Sequence, residues 1–161
     1  MLDAFHRLIQ DDHIRRYLLD GELLPREWSE QRVCDSGRLF ENRGVGLWLA
    51  SDSNTGEVVG FCGFLDMPSM DTEPQLVYAL SERFTGRGYA TEMASAVIAE
   101  AHRHPGFATI RATVDDVNVA SIRVLRKLGF EEVAIYPGRF GRMRMLRLRD
   151  SQFLSRPTRE L

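Results

Sequence analysis

The chain has 161 residues with a formal charge of −2 at neutral pH, 43% hydrophobic and 27% charged side chains, 13 glycines and 6 prolines. That length holds one core, so a single domain over residues 1–161 is expected, and the composition excludes collagen-like, low-complexity and largely disordered chains. The near-neutral balance argues against nucleic acid or an anionic membrane as partner, but residues 1–80 carry 7 Arg against 14 acids and residues 81–161 carry 14 Lys and Arg against 9 acids, so an anionic ligand belongs in the second half.

Of the 21 basic residues 20 are Arg, whose guanidinium suits bidentate phosphate contact, although an Arg excess by itself reads as coding bias. Cys34 and Cys62 form no C-x-x-C pair and are too few for a disulfide framework, which makes a reducing cytoplasm the expected location. The opening Met1-Leu-Asp-Ala-Phe-His6 has no basic segment leading into an apolar run, so no signal peptide is expected. No apolar stretch approaches the roughly 18 residues of a membrane span.

Phe5, Leu8 and Ile9 share one helical face and Ile14, Tyr17 and Leu18 another, out of phase with it, which predicts two short helices meeting near Asp11–Asp12. Pro25 at a first helical position, with Glu27 behind it, starts a third helix expected to end before Gly37. Val45–Ala50 and Val58–Leu65 are apolar runs joined by the turn-rich Ser51–Gly56, an antiparallel hairpin. A strand from Gln75 to Leu80 follows, then a helix whose Ala90, Met93, Ala94, Val97, Ile98 and Ala101 fall on one face. Ile110, Ala112 and Val114 alternate as a strand, Asn118–Leu128 reads as a helix stopped by Gly129, and two strands close the chain. In the last strand Met143 and Met145 share one parity and Leu146 and Leu148 the other, which predicts a bulge near Met145, while Arg142, Arg144, Arg147 and Arg149 read as a solvated edge. The order of elements gives an α/β or α+β fold of three layers, a mixed twisted sheet between helices.

Arg83-x-x-Gly86-x-Gly88 lies between a strand and an amphipathic helix, leaving the amides of residues 84–89 at the positive end of the helix dipole. Glycines there let a main chain approach a diphosphate. A dinucleotide fingerprint requires glycine or alanine at position 91, where Thr91 stands, which argues against a nicotinamide-dependent enzyme. Taken alone, Asn118 reads as a helix N-cap and Ser121 as a solvent-facing helical residue.

Two motifs together, Tyr78-Ala-Leu-Ser-Glu-Arg83-Phe-Thr-Gly86-Arg-Gly88-Tyr-Ala-Thr91-Glu92 and Asn118-Val-Ala-Ser121 running into Lys127-Leu-Gly129-Phe130, resemble the GNAT superfamily of acetyl-CoA-dependent N-acyltransferases, in the branch of ribosomal-protein N-terminal acetyltransferases. The resemblance is close over residues 73–133 and looser over 14–65. It implies a GNAT-like fold, acetyl-CoA as cosubstrate, no metal, and an acceptor amine lying between the N-terminal helices and the C-terminal strands. It further implies that the amides of Thr85, Gly86, Arg87, Gly88, Tyr89 and Ala90, leading into Thr91, hold the pyrophosphate, with Arg83 and Arg87 facing its charge. Tyr78, Ala79 and Leu80 would pair through their backbone with the pantetheine arm on a strand that splays from residues 108–114, Asn118 would bond the pantetheine amide, and Ser121 would lie near the sulfur. Direct attack of a primary amine on the thioester is implied, by a monomer or homodimer.

Several positions depart from the family pattern. Leu125 stands where relatives often have an acidic tyrosine, leaving Ser121 or water as proton donor, and Gln75 stands where an acid is common, leaving Glu73 as candidate base and Tyr136 behind it. Thr85 replaces a frequent tryptophan, and the chain opens in helix where the family has a strand, which implies a modified sheet or a late start. The missing tyrosine makes a non-catalytic acyl-CoA-binding or sensing module the alternative. His102 and His104 point apart and form no metal pair, Trp28 and Trp48 read as core or cap residues, and Cys62 as a small hydrophobe.

Overall fold

The structure is a computed structural model describing residues 1–66, 73–139 and 141–149. Among these, the elements in chain order are α1 (Leu2–Ile9), α2 (Asp12–Leu18), α3 (Arg26–Arg43), β1 (Leu47–Ser51), β2 (Val58–Leu65), β3 (Gln75–Leu80), α4 (Tyr89–Ala101), β4 (Thr109–Asp115), α5 (Val119–Leu128), β5 (Glu131–Gly138) and β6 (Gly141–Arg149), with a short 3-10 turn, Glu82–Phe84, before α4. The strands form one mixed sheet in the order β1-β2-β3-β4-β6-β5. The three-layer α/β expectation therefore holds.

Local chemistry explains most boundaries. Asp11 caps α2, its carboxylate accepting from the amides of His13 and Ile14 and so breaking α1 from α2. On α2 only Ile14 is buried; Leu18 faces solvent, and Leu19, one residue on, packs against the core in its place. Pro25 is the N-cap of α3 and not its first helical residue, and the helix runs through Gly37 to a left-handed cap at Gly44, φ 73°. It continues because Ser36 and Leu39 on either side of Gly37 are buried, and the Ser36 hydroxyl accepts from the Leu47 amide. Tertiary packing overrides the glycine's weak helix propensity.

Two cores lie back to back on the sheet. On one face α4 and α5 cover Cys62, Phe64, Leu76, Ile110, Ala112, Val114, Leu146 and Leu148. On the other, α1, α2 and α3 bring Phe5, Leu8, Ile9 and Ile14 against Leu47, Phe61 and Val77, with Trp28 stacked on Phe5. Each fully buried large side chain contributes about 1.5–3 kcal/mol. Strand β2 serves both cores by alternation and approaches its neighbours closely: a Cβ on Gly60 would lie 2.1 Å from the Ala79 carbonyl oxygen, and one on Gly63 1.9 Å from that of Gly46.

The C-terminal strands correct two expectations. Strand β6 is internal, paired to β4 on one side and β5 on the other, so its arginines line no edge. Arg142 and Arg144 both bind Asp116, and Arg144 also reaches Glu132. The bulge lies in β5, where Glu132 pairs with Leu146 and Ala134 with Met145, leaving Val133 over; β6 itself stays in register with β4. Leu146 and Leu148 of β6 fill the α4–α5 core, whereas Met143 and Met145, of the other parity, are half-buried.

Gly37→Ala is expected to stabilise the protein by about 0.5–1 kcal/mol in denaturant unfolding, since nothing lies within 4 Å of the added methyl. Gly63→Ala forces a methyl into backbone and should destabilise by about 1–3 kcal/mol in the same assay.

Candidate active site

Strands β3 and β4 run parallel but share a single rung, Gln75 opposite Arg111. Beyond it β3 continues to Leu80, paired throughout with β2, and β4 continues to Asp115, paired throughout with β6. Each strand is thus held by its outer neighbour while the inner edges diverge into a wedge with unused backbone groups along β3. At its root Thr113 Oγ1 donates to Gln75 Oε1 at 2.6 Å, a side-chain clasp where the next backbone rung would lie. The wedge agrees with the splay implied by the family resemblance.

At the C-terminal end of β3 the chain turns through Ser81 and the 3-10 turn into α4. The Phe84 and Thr85 amides donate to Ser81 and Glu82 carbonyls, so the amides presented at the helix start begin at Gly86, a correction to the expected 84–89 cradle. Gly86 and Gly88 adopt φ +73° and +89°, with nothing within 4 Å of where a Cβ would stand. A diphosphate fits that exposed crest at a helix N-terminus. Arg83 and Arg87 stack over the Phe84 ring, 4.8 and 5.8 Å from its centroid, and Arg83 is ion-paired with Glu57. Tyr89 donates its hydroxyl to Asp52 in the β1–β2 turn, and this bond together with the Thr55 and Asn54 amides holds the Asp52 carboxyl below its ordinary range. Ala90 packs against Val59, Leu80 and Phe84, and Thr91 lies in the first turn of α4.

The opposite wall is the start of α5. Asn118 is its N-cap, Oδ1 accepting from the Ser121 amide at 3.1 Å. Tyr78 extends from β3, and its hydroxyl lies 2.8 Å from Ser121 Oγ and 3.2 Å from the Ser121 carbonyl. Burial pushes the Tyr78 phenol above its usual range, so it stays protonated, and burial likewise raises the neighbouring Cys62 thiol and keeps it inert. Leu125 is 1% exposed within the core, unable to reach the wedge.

The face toward α1 and α2 carries Gln75, Val77 and Ala79 of β3, and the polar parity of β4, Arg111, Thr113 and Asp115. Asp115, Met143 and Tyr136 form one cross-strand rung over β4, β6 and β5, with Tyr136 half exposed. A groove of about 670 Å³ beside them is lined by Asp12, Arg15, Arg16 and Tyr17 of α2, by Asp20 and Gly21, and by Val117. Arg139 ties the β5–β6 turn to Asp20 and Glu22 at its rim. Desolvation, then the charges of Asp20 and Asp116, push the Asp115 carboxyl above its ordinary range. Glu73 lies two residues before the rung, half exposed and bound to Arg43 at 2.6 Å. The structure thus brings Tyr78, Asn118 and Ser121 together at the wedge, Tyr136 to the groove side, and Glu73 to the other side of the clasp.

A family model described as an acetyltransferase (GNAT) domain matches residues 2–131. The chain belongs to the GNAT acetyltransferase family. It is 34% identical over 128 residues to YkkB of Bacillus subtilis (strain 168), covering 78% of this chain and 72% of that one. Its fold is similar to a GnaT-family acetyltransferase from Bordetella pertussis, with a TM-score of 0.77, 22% identity and coverage of 91% and 88% of the two chains. It is also similar to RimL, a ribosomal L7/L12 alpha-N-protein acetyltransferase solved in complex with coenzyme A, with a TM-score of 0.72, 17% identity and coverage of 92% and 88%. No helix among the described residues of this GNAT protein is long and apolar enough to cross a membrane.

Asp115 and the Gln75–Thr113 clasp escape a motif-based reading. Their signal is the polar half of the β4 alternation, Arg111, Thr113 and Asp115, which periodicity registers only as the outward face. Gly86→Val is expected to abolish acetyl-CoA binding in calorimetry with the fold intact by circular dichroism, because its side chain fills the crest. Asn118→Ala should lose about 1 kcal/mol of stability with the cap, whereas Asn118→Asp keeps the acceptor that caps α5 and loses only the amide donor. Weakened coenzyme binding in Asn118→Asp without lost stability is the expected separation.

Proposed function

We propose that this GNAT protein transfers the acetyl group of acetyl-CoA directly to a primary amine, of a small molecule or of a peptide, in a ternary complex without a covalent acetyl-enzyme. The observation that carries the reading is the wedge between β3 and β4, with an exposed glycine crest at one end and a groove at its side. The coenzyme A bound in RimL supports the same assignment. Bound acetyl-CoA supplies an electrophilic acetyl thioester. Amides from Gly86 onward hold its diphosphate with Arg83 and Arg87 beside them, and the unpaired edge of β3 over Tyr78, Ala79 and Leu80 orients the arm and offers donors to the carbonyl oxygen as it gains charge.

The acceptor enters from the groove lined by α2, the Asp20–Gly21 turn and Val117, two residues beyond the end of β4. A lysine-like ammonium has a pKa of about 10.4 and must lose a proton before its nitrogen can attack. Asp115 is the favoured acceptor of that proton: its carboxylate has no hydrogen-bond or ion-pair partner among the described residues, faces the groove side, and is more basic than an ordinary aspartate. Asp116 beside it is engaged by Arg142 and Arg144, and Asp20 by Arg139. Glu73, bound to Arg43, is the second candidate, and Tyr136 completes the Asp115 rung as a polar contact for the acceptor.

Calorimetric titration with acetyl-CoA, with NADH as control, followed by thiol-release assays on an amine panel, tests the proposal. Acetyl-CoA binding with amine-dependent thiol release is the expected result; binding without release on any amine favours the acyl-CoA sensor suggested by Leu125. Because a raised carboxyl gains its proton at higher pH than usual, kcat/KM should begin to fall on acidification before the solution reaches the ordinary aspartate value of about 3.9. That limb should disappear in Asp115→Asn with a loss of about 10²–10³ in kcat. The same variant should unfold at a higher temperature at neutral pH, since the ionised Asp115 is disfavoured in the fold. A larger loss in Glu73→Gln transfers the role to Glu73.

A further inference from the structure

Ser121 is held at three atoms: Asn118 Oδ1 accepts from its amide, and the Tyr78 hydroxyl lies within hydrogen-bond distance of both its Oγ and its carbonyl. Tyr78 and Ser121 belong to opposite walls of the wedge, one on β3 and one in the first turn of α5. Such a tether is more than packing needs, because the Tyr78 ring is already seated against the α4–α5 core. An extended arm fixed at the α4 end by its diphosphate, and running down the unpaired edge of β3 toward the rung, brings its sulfur end toward the level of Tyr78.

We infer that Tyr78 is a positioning residue acting through Ser121: its hydroxyl donates to Ser121 Oγ and so directs the serine proton at the coenzyme sulfur. This rests on the acetyl-CoA reading. As the amine nitrogen forms the new C–N bond, the C–S electron pair leaves on sulfur and is met by the Ser121 hydroxyl. The carboxylate on the groove side, having passed the ammonium's first proton to solvent, takes the second from nitrogen as the C–N bond forms and releases it to solvent, while the sulfur takes one proton from solvent. No proton leaves Tyr78. Its phenol, raised by burial, is a donor throughout, and the titratable group facing it from β2 is the Cys62 thiol, also raised by burial. The pair acts from the sheet and the first turn of α5, where Leu125 offers no hydroxyl.

The test compares binding of coenzyme A and of its desulfo analogue by calorimetry, in the wild type, Tyr78→Phe, Ser121→Ala and the double variant, at neutral pH and again above a thiol pKa of about 8.5. The wild type should prefer coenzyme A by about tenfold, more so at the higher pH, as expected for a hydrogen bond to a charged sulfur. Each single variant should lose that preference, the double variant should lose no more than either, and Ser121→Thr should restore it. Steady-state kinetics of Tyr78→Phe should show kcat reduced about tenfold with the KM for acetyl-CoA unchanged. Equal binding of the two ligands by the wild type, or a preference that survives in Tyr78→Phe, overturns the inference and leaves the acetyl-CoA reading intact. Absence of binding for both ligands overturns the two together.

Discussion

The Gln75–Arg111 rung is the constraint on which the molecule turns. Parallel neighbours in a sheet ordinarily pair along their length, because unpaired backbone groups are expensive to bury. Here β3 and β4 are instead committed outward, to β2 and β6, up to their final residues, so neither can swing inward. Glycines at 60 and 63 allow β2 to hold its neighbours at close range, and the Thr113–Gln75 bond replaces the rung that would begin to close the gap. The unsatisfied edge of β3 is therefore maintained by everything around it. That is the condition for lending backbone hydrogen bonds to a ligand.

The charge asymmetry between the two halves of the chain has a related physical outcome. Much of the basic excess in the second half does not face an anion. Arg139 meets Asp20 and Glu22 of the first half, and Arg142 and Arg144 converge on Asp116. The exposed pairs of Arg139 add little to stability, but together with the half-buried Arg144–Asp116 pair they determine which charges stay available on the groove side. Asp115 is set apart by this distribution: its neighbours Asp20 and Asp116 both have guanidinium partners, and it has none among the described residues. Beside the glycine crest Arg83 is divided between Glu57 and the Phe84 ring.

Elements whose information is local were legible in the sequence. The apolar stripe of α4, the strand boundaries of β3 and the Gly129 stop of α5 follow from periodicity and backbone conformation alone. What was not legible depends on a partner distant in sequence. Gly37 reads as a stop until Ser36 is seen to accept from the Leu47 amide, and the β6 arginines read as an edge until β5 folds back outside them. The shift in β6 apolar parity was a real signal assigned to the wrong strand, since the extra residue lies in β5, opposite Leu146 and Met145. The glycine turn before α4 and the Asn118 cap of α5 were legible because glycine positions and an N-cap are visible in one dimension. The proposed base, Asp115, was not, because its carboxyl is raised first by desolvation within the fold and then by the charges of Asp20, on a turn remote in the chain, and of Asp116.

The back-to-back cores have a consequence for how such a protein can diversify. Strand β2 sends Cys62 and Phe64 into the core beneath α4 and α5, and Phe61 into the core beneath α1 and α2. The sheet is a partition, and side chains on its two sides share backbone but little packing. Substitutions that remodel the helical cap, and with it the rim of the groove, leave the opposite core undisturbed. The groove rim can therefore be reshaped on one side of the sheet while the packing on the other side stays as it is.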